Sequence, residues 1–99
     1  MLTIRDIQRA VALIYNVSLH NLICERRCRD VTDPRQIAMW IAGSILTDKS
    51  ISQIARSFKR DRTTITHGIR RGCEITAYSL DHIEKVKLAI EELRRMASS

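Results

Sequence analysis

Arg60-Asp61-Arg62-Thr63-Thr64 is an unbroken run of five polar residues, and His67, Arg70 and Arg71 follow it. The set suits recognition. Arg62 can pair with guanine O6 and N7 in a bidentate arrangement, and Thr63 can offer a hydroxyl to a base or its methyl group to a thymine methyl. Asp61 has two compatible uses, accepting from a cytosine or adenine amine or capping a helix. Thr64 stands where it could support that cap or reach a phosphate. His67, one turn on, reads either as a phosphate or base contact or as an ordinary exposed His. Arg70 and Arg71 lie further along, where contacts go to phosphates, which position a protein without specifying a sequence.

A second basic focus lies at Arg26, Arg27 and Arg29. The formal charge of the 99-residue chain is +6, from 17 Lys+Arg against 11 Asp+Glu. Thirteen of those cations are Arg, the planar cation that fits phosphates and guanine edges. Residues 51–75 carry +4 of the excess, residues 1–50 carry +2, and the remainder is balanced. Arg-rich stretches are ordinarily solvated faces. Here they coincide with a motif.

That motif needs helices to present it. Thr3 with Asp6 opens a first helix over about 3–15, whose apolar stripe is Ile4, Ile7, Val11 and Ile14. Ser18 caps a short turn, Leu19 to Ile23. Residues 25–32 have no helical stripe and read as a basic loop. Asp33 as N-cap, Pro34 at the first helical position and Gln36 two residues later begin the next helix, which runs to about Thr47 with Ile37, Trp40, Ile41 and Ile45 on one face. Ser50 and Gln53 open a helix that stops at Lys59-Arg60. Asp61 caps another that runs to about Gly72. The last begins between Ser79 and Asp81, with Ile83, Val86, Ile90 and Leu93 as its stripe, and the end from Met96 to Ser99 looks frayed. The expectation is one all-α domain over 1–99, of about five to six helices.

Residues 51–71 then read as a helix-turn-helix within about 50–72. Two helices are joined by a short polar turn. Ala55 is thin where they cross, and Ile54, Phe58, Ile65 and Ile69 pack the crossing. The turn glycine common in such motifs is replaced by Lys59-Arg60.

Other chemistries fit poorly. His20, Cys24 and Cys28 are four apart, unlike the paired Cys-x2–4-Cys of structural zinc sites, so no metal or other cofactor is expected. Ser, His and Asp occur without a nucleophile elbow, and Glu91-Glu92 reads as an exposed helix pair, so no enzyme is expected. The longest apolar run, Ala10 to Tyr15, is far short of a membrane span of about 20 residues. With no signal-peptide pattern and an odd number of Cys, a cytoplasmic location is expected.

The run Asp61-Arg62-Thr63-Thr64-Ile65 followed by His67 resembles the signature of the C-terminal DNA-binding domain of bacterial replication initiator DnaA, where an Asp-His-Thr-Thr-Val run opens the recognition helix and a His follows. The second signature of that family, a basic loop leading into a Pro-Arg-Gln helix start, resembles Arg26 through Gln36. The resemblance extends from about Ile4 to the last helix. It implies an all-α, Trp-repressor-like helix-turn-helix domain on double-stranded origin boxes, with Asp61, Arg62, Thr63 and Thr64 in the major groove. It further implies one of Arg26, Arg27 and Arg29 in the minor groove, Arg27 first, and Arg35 and Gln36 near a phosphate at a helix start. Three departures stand out. Arg62 replaces the His, which shifts preference toward guanine. Ser52-Gln53 stand where the family often has a phosphate-contacting Pro. Glu25, Asp30 and Asp33 dilute the loop. No Gly-x-x-x-x-Gly-Lys-Ser/Thr run occurs, so no nucleotide is expected. Met1 favours a free-standing chain, binding as a monomer to an asymmetric site. The rivals are a helix-turn-helix regulator of another family, which predicts a dimer on a palindrome, and an adaptor whose Arg face meets an acidic protein.

Overall fold

In the computed structural model, which describes residues 2–24 and 31–98, six helices follow one another: α1 (Ile4–Tyr15), α2 (Leu19–Ile23), α3 (Thr32–Ile45), α4 (Ile51–Phe58), α5 (Arg62–Ala77) and α6 (Leu80–Ser98). The all-α expectation holds, and no strand occurs among the described residues. No described helix is long and apolar enough to cross a membrane.

The local start signals act as the sequence suggests, with one exception. The Thr3 hydroxyl accepts from Asp6 N–H at 3.1 Å while the Asp6 carboxylate accepts from Thr3 N–H at 3.0 Å. Ser50 and Gln53 form the same reciprocal pair at the head of α4. Each satisfies donors that a helix start leaves without partners. The exception is α3. It begins at Thr32 behind Val31, so Asp33 lies in its first turn and Pro34 at its third position. Pro is still tolerated there, because first-turn N–H groups have no intrahelical acceptor. At its other end α3 stops at Ile45, two residues before the expected end.

Two helix ends use a left-handed residue other than glycine. Asn16 closes α1 with φ 55° and Lys59 closes α4 with φ 55°. At the second site Arg60 N–H donates to Ala55 O at 3.0 Å and Lys59 N–H to Arg56 O at 3.3 Å, the paired bonds of a Schellman end. Lys59 therefore supplies the turn that a glycine usually makes. A non-glycine residue there costs about 1 kcal/mol.

The core is built around α3, which packs most extensively on α5 and also meets α1. Ile7, Leu22, Ile37, Ile54, Phe58 and Ile65 are fully buried in it. Truncating such a residue, Phe58→Ala for example, removes about 3–5 kcal/mol. The α3–α5 crossing explains a misread boundary. Gly72 looks like a stop signal, yet α5 continues five residues past it to Ala77. A Cβ on Gly72 would run into the Gln36 carbonyl, and one on Gly68 into the Met39 sulfur. These two glycines, one turn apart, let α5 lie against α3, and the helix passes through the contact. α6 likewise stays helical through Ser98 and packs Val86, Ala89 and Leu93 inward.

The α1–α6 seam carries a polar cluster. Tyr15 Oη and His82 Nδ1 share a hydrogen bond at 2.7 Å, and their rings stack with centroids 5.7 Å apart. Lys85 Nζ lies 4.8 Å from the Tyr15 ring centre, and His82 Nε2 is 3.8 Å from Asp33. Burial, followed by the nearby charges of Asp81 and Asp33, pushes the Tyr15 phenol up to about 12.

Candidate nucleic-acid interface

Helices α4 and α5 are separated by Lys59, Arg60 and Asp61. Ile54, Ala55, Phe58 and Ile65 are buried, while Ile69 packs on the core beside Gly43 of α3. The apolar positions that define the motif therefore do its packing. The polar positions between them are left outward.

Asp61 is the N-cap of α5. Its carboxylate accepts from Thr64 N–H at 2.7 Å. The Thr64 backbone bond first, and the Thr64 side chain second, hold its carboxyl below the ordinary 3.8. Of the two uses open to Asp61 the structure contains the cap. The carboxylate remains exposed, so reading a base is compatible with it.

Arg62, Thr63, His67 and Arg70 line one open groove together with Thr66 and Ile51. Their spacing puts positions 62, 63, 66, 67 and 70 on one face of α5. Thr66 and Ile51 were not anticipated. Thr66 follows from the helical period once Arg62 and Arg70 are set on one face. Its hydroxyl donates to Arg62 O at 3.0 Å, which leaves its methyl group and oxygen lone pairs to the groove. Ile51 has no sequence signal beyond its place in the apolar stripe. Ser52 and Lys59 are exposed on α4 and its end.

The two distal arginines separate. Arg70 faces the groove, whereas Arg71 lies about 100° further round the helix and pairs with Glu74 at 3.3 Å. Both ends of that pair are about half exposed, at 53% and 48%, so it contributes little to stability.

Two expected phosphate contacts are placed otherwise. Arg35 is 7% exposed. Its Nε donates to Leu22 O at 2.8 Å, and its Nη2 to Asn21 O at 3.0 Å and Cys24 O at 3.4 Å. The guanidinium thus closes the C-terminal end of α2, whose last carbonyls have no helical donors. Gln36 is half-buried one turn inside α3, with its carbonyl against Gly72. Neither sits at the start of a helix, because α3 begins three residues before Arg35. Arg60 is also turned back, onto the carbonyls of Phe58, Lys59 and Cys24. Arg26, Arg27 and Arg29 lie outside the described residues, as does Cys28. Among the described residues no three His, Cys, Asp or Glu side chains gather into a metal-sized group.

The profile of the bacterial DnaA helix-turn-helix family matches residues 4–71, which spans α1 to the middle of α5 and includes the whole motif. The chain belongs to that family. It is 37% identical over 95 residues to the chromosomal replication initiator proteins DnaA of Rickettsia canadensis, Rickettsia massiliae and Rickettsia felis. Those residues are 95% of this chain and 20% of each relative, so the DnaA-like chain spans about a fifth of the length of the proteins it matches. The match to this family places Arg62, Thr63 and the rest of the groove in a DNA-binding helix-turn-helix domain.

Proposed function

We propose that this chain binds double-stranded DNA at DnaA-box-like sites and serves replication initiation or its control, through the groove on α5. The observation carrying this reading is that Arg62, Thr63, Thr66, His67 and Arg70 line one open groove beginning at the first turn of α5. A recognition helix meets base edges with that turn. Arg62 reads guanine, and Thr63 reads a neighbouring base or thymine methyl. His67 and Arg70 contact the next bases or phosphates. Arg71, Lys59 and Ser52 meet the backbone. Arg27, with Arg26 and Arg29, approaches the adjacent minor groove. The chain acts as one domain and a monomer, and it needs neither nucleotide nor metal.

Selection of bound duplexes from a random library, with the mass of the complex measured, tests this. One asymmetric site of about one helical turn, near 10 base pairs, bound by one chain is the expected result. A palindrome bound by two chains would indicate a dimeric regulator, and no enrichment would indicate a protein partner. Neutralising about six phosphates gives a slope of log K against log salt near −5. A slope near zero would contradict backbone contact.

A further inference from the structure

Three cations from separate parts of the chain meet at a hollow distinct from the α5 groove. Arg5 stands in the first turn of α1, Lys49 just before the Ser50 cap of α4, and Arg56 in the last turn of α4. With Gln8, Gln53 and Ser57 they line an open hollow of about 500 Å³, which no described carboxylate lines. Lys49 Nζ has the exposed Asp48 carboxylate at 3.9 Å, whereas Arg5 and Arg56 have no ion pair among the described residues. The floor is fixed. Gln8 is fully buried, and its Nε2 donates to Ser57 O at 3.0 Å, which ties α1 to the end of α4. Its Oε1 is also buried, with no donor among the described residues. Gln53 spends its own Oε1 on the Ser50 N–H, which leaves its amide donors available at the hollow. Neither Arg5 nor Lys49 belongs to a basic run, so only the fold brings them to Arg56.

We propose that this hollow, lined by Arg5, Lys49 and Arg56, is a second DNA-backbone site that takes phosphates outside the base pairs read by α5. The proposal rests on the DNA-binding reading above and extends its footprint. The chemistry is that of an oxyanion receptor: two guanidiniums and an ammonium share one concavity with amide donors between them. A concave surface lined by one sign of charge focuses the field and draws the opposite charge. Gln8 Oε1 can take a water that bridges to the oxyanion. The hollow is continuous with the groove through α4. Ile51 belongs to the groove, and Gln53 and Arg56 belong to the hollow, so the two lie about one helix width, near 10 Å, apart. In a helix-turn-helix complex the first helix crosses the backbone, so a duplex seated on α5 brings phosphates to α4 and its flanks. The ligand is a phosphodiester in either case, whether it comes from the flank of that duplex or from a second one.

The test compares two duplexes carrying the site recovered by library selection, one cut at the edges of the site and one extended by about one helical turn, near 10 base pairs, on each side. The wild-type chain should bind the extended duplex about tenfold more tightly, and the triple variant Arg5→Ala, Lys49→Ala, Arg56→Ala should keep less than about twofold of that gain. The triple variant should select the same base pairs, because phosphate contacts carry no sequence information. Its slope of log K against log salt on the extended duplex should be shallower by about 2 to 3. A control with the same charge loss on α6, Lys87→Ala, Arg94→Ala, Arg95→Ala, should keep the whole gain. Arg56→Glu alone, at an exposed position, should remove most of it, and thermal melting checks that each variant is folded. The mass of the complex separates the two sources: one duplex per chain means the flank, and two duplexes per chain, reduced to one in the triple variant, mean a second duplex at the same hollow. A gain equal in wild type and triple variant, a loss matched by the α6 control, or a wild-type chain with neither gain nor second duplex would overturn the site and leave the reading by α5 standing. A wild-type chain that selects no duplex would overturn both.

Discussion

Arg62 and Arg70 open onto the groove of α5, while Arg35 and Arg60 turn their guanidiniums onto backbone carbonyls. All four belong to the same arginine excess, and Arg60 and Arg62 are two residues apart. The difference is made by the carbonyls. The last carbonyls of α2 and α4, like those of any helix, have no intrahelical donors, and a cation within reach is drawn to them. Arg62 instead is exposed and lines the groove. One residue type therefore serves two tasks, and the surrounding backbone decides which.

The largest expected effect breaks the inward side. Arg35→Ala leaves the buried carbonyl of Leu22 and the half-buried carbonyl of Asn21 without their donor and should destabilise the fold by about 3 kcal/mol, read by urea denaturation. Arg62→Ala should do the reverse, leaving the denaturation midpoint unchanged and weakening specific binding by about 2 kcal/mol. Equal loss of stability in both variants would erase the contrast. The Tyr15 phenol sharpens the inward side further. Its pKa is raised from 10.0 to about 12 in the fold, so its contribution is complete below pH 10 and is lost as pH rises toward 12. Stability measured across that interval should fall, and less steeply in Tyr15→Phe. Lys59→Gly relieves a left-handed residue between the two groups and should raise stability by about 1 kcal/mol. The smallest effect is Arg71→Ala. Its ion pair is half exposed, so stability should shift by less than about 0.5 kcal/mol, and binding should weaken alike on all sequences.

Much of the fold was legible because its signals are local. Thr3 with Asp6, Ser50 with Gln53, and Asp61 act within three residues of themselves, and the apolar stripes need only the helical period. What depends on distant backbone was not legible. Gly72 reads as a helix end until α3 is laid against it. Arg35 reads as a phosphate contact, and Arg60 as one of the reading groups before α5, until α2 brings its carbonyls within reach. On the candidate site, the groove face follows from the spacing of Arg62, Thr63, His67 and Arg70, and Thr66 completes it by the same period. Ile51 joins only because α4 crosses α5 at Ala55.

The contrast between outward and inward arginines stands or falls with Arg62. The most direct measurement is duplex selection with Arg62→Ala beside the wild-type chain. The account predicts that the variant, melting as the wild type does, loses the preference for guanine at one position of the site and keeps the others. An unchanged selected site would contradict it, and would place base reading elsewhere on the molecule.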